Sequence, residues 1–400
     1  MDEIKHVTSD LDFAPLHRRM QWYVDQGSLP GLSTLTLRGP EVVDFRCYGA
    51  MDLAAGHPLA ADTIFRIHSN TKLITSIAAM MLVEEGKFRL DDPVAMYLPE
   101  LADLSVLKPD AKQPEDLEPL RSQITIRQLM THTAGLSYGF LDSTSVVDRM
   151  YVGAGVFQNV FMRKGTLEGL VDMLSRLPLA FQPGSAWRYS LGTDVIARLI
   201  EVVTGQQFQR FLTQRIFQPL EMHDTGFYIP EDKRHRFSTL YISREGKHVA
   251  VSTPTSSVYY DPNSLQSGGG GLASTIGDFA SVIRMLVAGG TWNGVRFLQP
   301  ETIAMMRASR LPPEMAIGSA AWQMPNTTFG LGFAVKLGPA EGEPASAAGE
   351  YHWGGMAGTH WWVAPNANLA GLCMVQVLEN FWRPFSHDFK RLAYEIAGAR

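Results

Sequence analysis

The stretch SNTKLITSIAAMMLVEEG, residues 69 to 86, constrains the fold more than any other part of the chain. Its pattern is helical, yet between Leu73 and Val83 it is apolar nearly all round. A helix with no polar face belongs in an interior. Gly86 supplies its stop, and Ile64 to Ile67 just before it predict a short strand. Covering such a helix takes a large core. With 400 residues, 45% hydrophobic and 19% charged, the chain can build one.

The elements around it follow from periodicity. Residues 12 to 26 predict an amphipathic helix ended by Gly27. LSTLTLRG and VVDFRCYG predict two strands separated by a Gly-Pro turn. From about 90 to 285 helical patterns dominate, in TIRQLMTH, TLEGLVDMLSRL, DVIARLIEVVTG and FQRFLTQRIF. Strands return in FGLGFAVKL, EYHWGG, THWWVAP and ANLAGLCMVQVL, and a last helix is expected at 385 to 397. The expected fold class is α+β, with N- and C-terminal strands sharing one antiparallel sheet flanked by helices. Residues 1–90 and 285–400 would form that lobe, and 91–284 a mainly helical one, with the active site between them.

A net charge of −5 gives no reason to expect nucleic acid. No segment has 18 consecutive apolar residues, so no membrane span is expected. The polar start MDEIKHVTSDLDF lacks the features of a secretory signal, and a cytoplasmic protein is expected. Cys47 and Cys373 lie in apolar surroundings and read as buried free thiols. No metal-binding spacing occurs, and no cofactor is predicted. The sequence gives no indication of oligomeric state.

Two serines compete for a chemical role. GLSYG, residues 135 to 139, has the G-x-S-x-G form of a nucleophile elbow, which needs a strand before the serine and a helix after it. TIRQLMTHTA before Ser137 has helical spacing, and FLDSTSVVD after it shows no helix start. The context fails on both sides. Ser69 stands instead where a short strand turns into the buried helix. Lys72, three residues on, shares its helix face. The helix start favours a developing anion, and burial suits Lys72 to take a proton from the serine. Taken alone, the same residues also fit a serine cap with an exposed lysine. FQPGSAWRYS places Tyr189 just before another helix. YHWGGM offers Gly354 and Gly355 on a strand, where a substrate could approach the backbone. His132, His352 and His360 suggest a triad, but local context picks out no second member. Gly268 to Gly271 lacks the Gly-Lys-Ser/Thr of a phosphate loop. It predicts a tight turn before a helix at Thr275 to Leu286, close to the active site.

In this order FRIHSNTK, ITIRQLMTHTAGL, FQPGSAWRYS, GGGGLASTIGDFA and HWGG make the chain resemble the serine β-lactamase/D,D-peptidase superfamily, class C type, over nearly its whole length. GLSYG is then the end of the THTAGL segment. Two departures stand out. Leu191 replaces the asparagine of Tyr-x-Asn, which binds the substrate amide. Trp353-Gly354-Gly355 replaces Lys-Thr-Gly, whose polar pair binds the substrate carboxylate. In both the chain resembles the family VIII carboxylesterases. The resemblance implies a small-molecule ester as substrate and an acyl-enzyme on Ser69. Tyr189 would move the proton, directly or through Lys72, and Lys72 would supply the charge that favours the phenolate. The backbone N–H groups of Ser69 and Met356, or Gly355 with the register shifted by one, would form the oxyanion hole. Trp353, Gly354 and Gly355 would bind substrate. Tyr138 and Trp187 are candidate pocket residues. Trp361 and Trp362 are core or wall. The loops 138 to 165 and 240 to 267 would supply the pocket walls. β-Lactamase, D-amino-acid peptidase or amidase, and acyltransferase activities remain alternatives.

Overall fold

A computed structural model describes residues 9–319, 322–378 and 384–399. Its framework is an eight-stranded antiparallel sheet of β1 (Gly31–Arg38), β2 (Glu41–Asp52), β3 (His57–Pro58), β4 (Thr327–Phe329), β5 (Ala334–Lys336), β6 (Tyr351–Gly355), β7 (Thr359–Ala364) and β8 (Leu369–Met374), in the order β4-β5-β6-β7-β8-β1-β2-β3. β1 sits between β8 and β2, pairing Ser33 with Met374 on one side and with Cys47 on the other. The two ends of the chain therefore share the sheet. Every residue of β1 but Arg38 is buried, as a strand covered on both faces requires.

The helices named below are α1 (Ala14–Asp25), α2 (Thr71–Glu84), α3 (Ile126–Met130), α4 (Val146–Gly153), α5 (Gly192–Thr204), α6 (Ile276–Val287) and α7 (Pro384–Ile396). α1 and α7 pack together on one sheet face, and α6 packs on the other. Alternation along β7 splits the cores. Trp361 and Val363 join the large core that holds α2, whereas Trp362 and Ala364 join the core under α1 and α7. Trp361 thus packs against Phe333 and Tyr351, and Trp362 stacks on Tyr394. Helix α2 is buried from Thr71 to Leu82 and packs on α5, which packs on α3.

Cys373 pairs with Thr34 and Cys47 with Ser33, on opposite flanks of β1. Two strand spacings, about 10 Å, exceed the reach of a disulfide. Both thiols are free.

Several local expectations change. FGLGFAVKL is not one strand. It turns at Gly330, whose N–H bonds the Phe333 carbonyl, and Gly332 takes a φ of +101° there. Only Phe65–Arg66 is strand before α2, pairing with Ala273–Ser274. The helix begins at Thr71, after a single 3-10 turn at His68–Asn70 that holds Ser69. FLDSTSVVD does contain a helix start, because Ser145 precedes α4. A hairpin of Leu240–Arg244 with Lys247–Ser252 lies in a region without a strand pattern in the sequence.

Candidate active site

The backbone turns sharply just before Ser69. His68 has a φ of +44°, a left-handed value that costs a non-glycine residue energy. The β6–β7 hairpin is stitched to this turn. The Thr359 hydroxyl donates to the Ile67 carbonyl at 3.2 Å, and the Asn70 side-chain amide donates to the Thr359 carbonyl at 3.3 Å. A β-carbon on Gly355 would lie 2.5 Å from the Ile67 oxygen and 3.2 Å from His68 Cβ. Only glycine permits that approach. Trp353-Gly354-Gly355 therefore runs against the Ser69 turn. Met356 opens the three-residue loop between the Gly355 and Thr359 pair, which Gly358 closes at a φ of +85°.

Lys72, in the first turn of α2, is fully buried. Its Nζ donates to Tyr138 Oη at 2.8 Å and to the Gly269 carbonyl at 2.6 Å. It also sits over two rings, 4.6 Å from the Tyr189 centroid and 5.2 Å from that of Tyr138. The sequence expectation linked Lys72 to Ser69 and to Tyr189, and not to Tyr138. In the structure its hydrogen bond goes to Tyr138, and Tyr189 presents its π face. Tyr189 is packed by His132, Trp187, Tyr138 and Trp353, and its oxygen accepts the Trp353 indole N–H at 3.2 Å.

Tyr138 is the residue that sequence reasoning undervalued, as no more than a pocket wall. Burial pushes its phenol well above the ordinary value, and Tyr189 and Asp194 push the same way. The remaining wall of the lysine site is Gly268 to Gly271. The Gly268 carbonyl accepts from Thr75 Oγ1 at 2.7 Å, and that of Gly271 accepts from the buried Arg163. The turn precedes α6, capped by Thr275.

Ser137 sits elsewhere. It is fully buried, donates to Asp148 and accepts from Arg188 Nε at 2.8 Å, while Arg188 bonds Asp148 at 2.7 Å. The Asp148 carboxylate is already held by Arg188 and by the N–H groups of Gly139 and Asp142, which makes the cluster a structural knot. Ser137 and Arg188 immediately precede Tyr138 and Tyr189, so this knot on α4 fixes both tyrosines. The histidines form no triad with Ser69. His132 Nδ1 bonds Ser190 Oγ at 3.1 Å, and burial holds its ring well below the ordinary value. Burial likewise pushes His352 and His360 down to about 3.

Where related enzymes place polar recognition groups, this site has the fully buried Leu191 and the Trp353 indole. Beyond Tyr138 a file of rings leads outward through Phe140, Phe157 and Phe161, with successive centroids 5.2, 5.5 and 4.7 Å apart. Phe140 and Phe161 are exposed.

Comparison with known proteins places the chain in a family and a fold. The family model described as Beta-lactamase matches residues 16–393. Esterase EstB of Burkholderia gladioli is 34% identical over 383 residues, covering 91% of each chain. Monacolin J acid methylbutanoyltransferase of Aspergillus terreus is 29% identical over 376 residues, covering 86% of each. Among solved structures, EstCE1, described as a hydrolase with promiscuous acyltransferase activity, superposes with a TM-score of 0.80 at 25% identity, covering 95% of this chain and 97% of its own.

Proposed function

The chain belongs to the Beta-lactamase family, and on that premise we propose that it is a serine carboxylesterase acting on short- to medium-chain esters through an acyl-enzyme on Ser69. Its esterase and acyltransferase relatives support the coarser statement, that it is a hydrolase or acyltransferase of the serine β-lactamase superfamily. In the proposed cycle Tyr189 starts as the phenolate; Ser69 Oγ attacks the ester carbonyl and its proton passes to Tyr189 Oη. The tetrahedral intermediate collapses, the bond to the alcohol breaks, and the alcohol leaves with that proton. Water then attacks the acyl-enzyme, gives a proton to Tyr189, and Ser69 regains it as the acid departs. The N–H groups of Ser69 and Met356 receive the oxyanion. Trp353, Gly354 and Gly355 border the substrate. Lys72 supplies positive charge beneath the tyrosines.

The observation that carries this reading is the lysine's setting. It is buried, bonded to one tyrosine and stacked under a second, whose oxygen the Trp353 indole holds. Leu191 offers no hydrogen bond to a substrate amide and Trp353 no charge to a substrate carboxylate, which favours esters over β-lactams and peptides. The ring file from Tyr138 to Phe161 suits an apolar acyl or alcohol group. Transfer of the acyl group to a bound alcohol is the second reading, supported by the acyltransferase among the relatives. The proposal includes the two-lobe division, with 91–284 set against 1–90 and 285–400, and a cytoplasmic location. Among the described residues no helix is long and apolar enough to cross a membrane.

The test sets a p-nitrophenyl ester series beside a chromogenic cephalosporin, with and without an added alcohol. Ester turnover far above cephalosporin turnover is expected. Equal or better cephalosporin hydrolysis would refute the carboxylesterase reading, and product diverted to the alcohol would favour the acyltransferase.

A further inference from the structure

The cycle above leaves unused a buried carboxylate that stands close to Lys72. Asp194, in the first turn of α5, is fully buried. Its Oδ1 accepts from the Ser267 hydroxyl at 2.5 Å and from the Gly269 N–H at 3.2 Å. Its Oδ2 has no hydrogen-bond partner among the described residues. Gly269 thus donates to Asp194 while its carbonyl accepts from Lys72 at 2.6 Å. A β-carbon on Gly269 would overlap Asp194 Oδ2 and stand 2.9 Å from Tyr138 Oη. The carboxylate, the lysine and Tyr138 therefore crowd round one glycine, and a side chain there would have to displace the carboxylate or the phenol.

Both hydrogen-bond partners of Lys72 are uncharged. A buried ammonium without a counter-charge is costly. So is a buried carboxylate with one oxygen unbonded. Each group answers the other's need. Burial pushes the Asp194 carboxyl above its usual range, and the Lys72 charge is the largest influence against that. The other titratable groups facing the pair are Tyr138, Tyr189 and His132, and His132 is neutral.

We infer that Asp194 is the buried counter-charge of Lys72, a positioning residue that acts through Gly269 to hold the Lys72 side chain beneath Tyr189. Its consequence for rate rests on the acyl-transfer reading; the charge pairing does not. Removing the negative charge makes every proton easier to lose from the lysine and tyrosine group.

The test is a double-mutant cycle of wild type, Lys72→Met, Asp194→Asn and the double variant, read by melting temperature. Each single variant is expected to lose several degrees by leaving one uncompensated buried charge, and the double variant to recover most of that loss. In folded Asp194→Asn the whole pH–rate profile on a p-nitrophenyl ester is expected to move to lower pH by about one unit. Additive losses in the cycle, or an unmoved profile, would overturn the inference. If Asp194→Asn alone does not fold, a folded double variant supports the pairing and an unfolded one overturns it. The melting temperatures need no turnover, so a protein inactive on every ester tested would defeat the esterase reading and leave this result standing.

Discussion

Two tyrosines share one lysine, and the geometry assigns them different work. Tyr138 takes the Lys72 hydrogen bond and remains a phenol. Tyr189 lies over the ammonium, with its oxygen held by Trp353. If Tyr189 moves the serine proton, Tyr189→Phe lowers kcat by about 10²- to 10⁴-fold with little change in KM. Tyr138→Phe removes one charge-assisted hydrogen bond and no reacting atom, so a smaller loss, about tenfold, is expected. Steady-state kinetics on a short-chain ester, with circular dichroism to verify folding, reads both. A Tyr138→Phe loss as deep as that of Tyr189→Phe would make Tyr138 the proton carrier. The sequence made Ser69 and Lys72 stand out because they lie three residues apart at the start of a long apolar helix. Tyr138 was obscured because its bond to Lys72 spans 66 positions. GLSYG contained the clue, one residue beyond the serine that attracted attention.

At the scale of elements, α7 is tied to the sheet by buried charge as well as by apolar packing. Glu350, fully buried before β6, accepts from Lys390 and from Tyr394, each at 3.0 Å. Glu343 pairs with Lys336, and with Lys390 at 3.1 Å. Lys390→Met leaves Glu350 short of its closest cation and is expected to cost about 3–5 kcal/mol. Urea unfolding midpoints measure this. Burial pushes the Glu343 carboxyl up, but Lys390 and Lys336 outweigh it and hold it at about 2, below an ordinary value of 4.5. A carboxylate depressed on folding adds stability that is complete above its unfolded pKa. That contribution is therefore present above about pH 4.5 and lost as pH falls toward 2. The Lys390→Met protein should show a smaller loss over that window. α5, through its periodicity, and α2, as a long apolar run closed by Gly86, were plain in the sequence. The hairpin at 240–252 was not, because much of its surface is exposed and no apolar alternation marks it.

For the whole molecule, strands at both ends of the sequence around a helical middle were enough to foresee a shared sheet. The central place of β1 was not, since a strand buried on both faces has no alternation to report its neighbours. The candidate site draws on residues 68–72, 138, 189, 269 and 353–356. Motifs marked some of these stretches, but their meeting is a property of the fold alone. Asp194 and Gly269 bear on the chemistry only because α5 and the glycine turn close behind α2. The account's central claim is that acyl transfer runs on Ser69 and that Ser137 is architecture. The direct measurement is hydrolysis of a short-chain p-nitrophenyl ester by wild type, Ser69→Ala and Ser137→Ala, each verified as folded. The account predicts that Ser69→Ala loses at least about a thousandfold in kcat. Ser137→Ala should melt lower and stay within about tenfold of wild type, since it loses hydrogen bonds and no reacting atom. An active Ser69→Ala protein beside an inactive, folded Ser137→Ala protein would contradict the claim and return the GLSYG serine as the nucleophile.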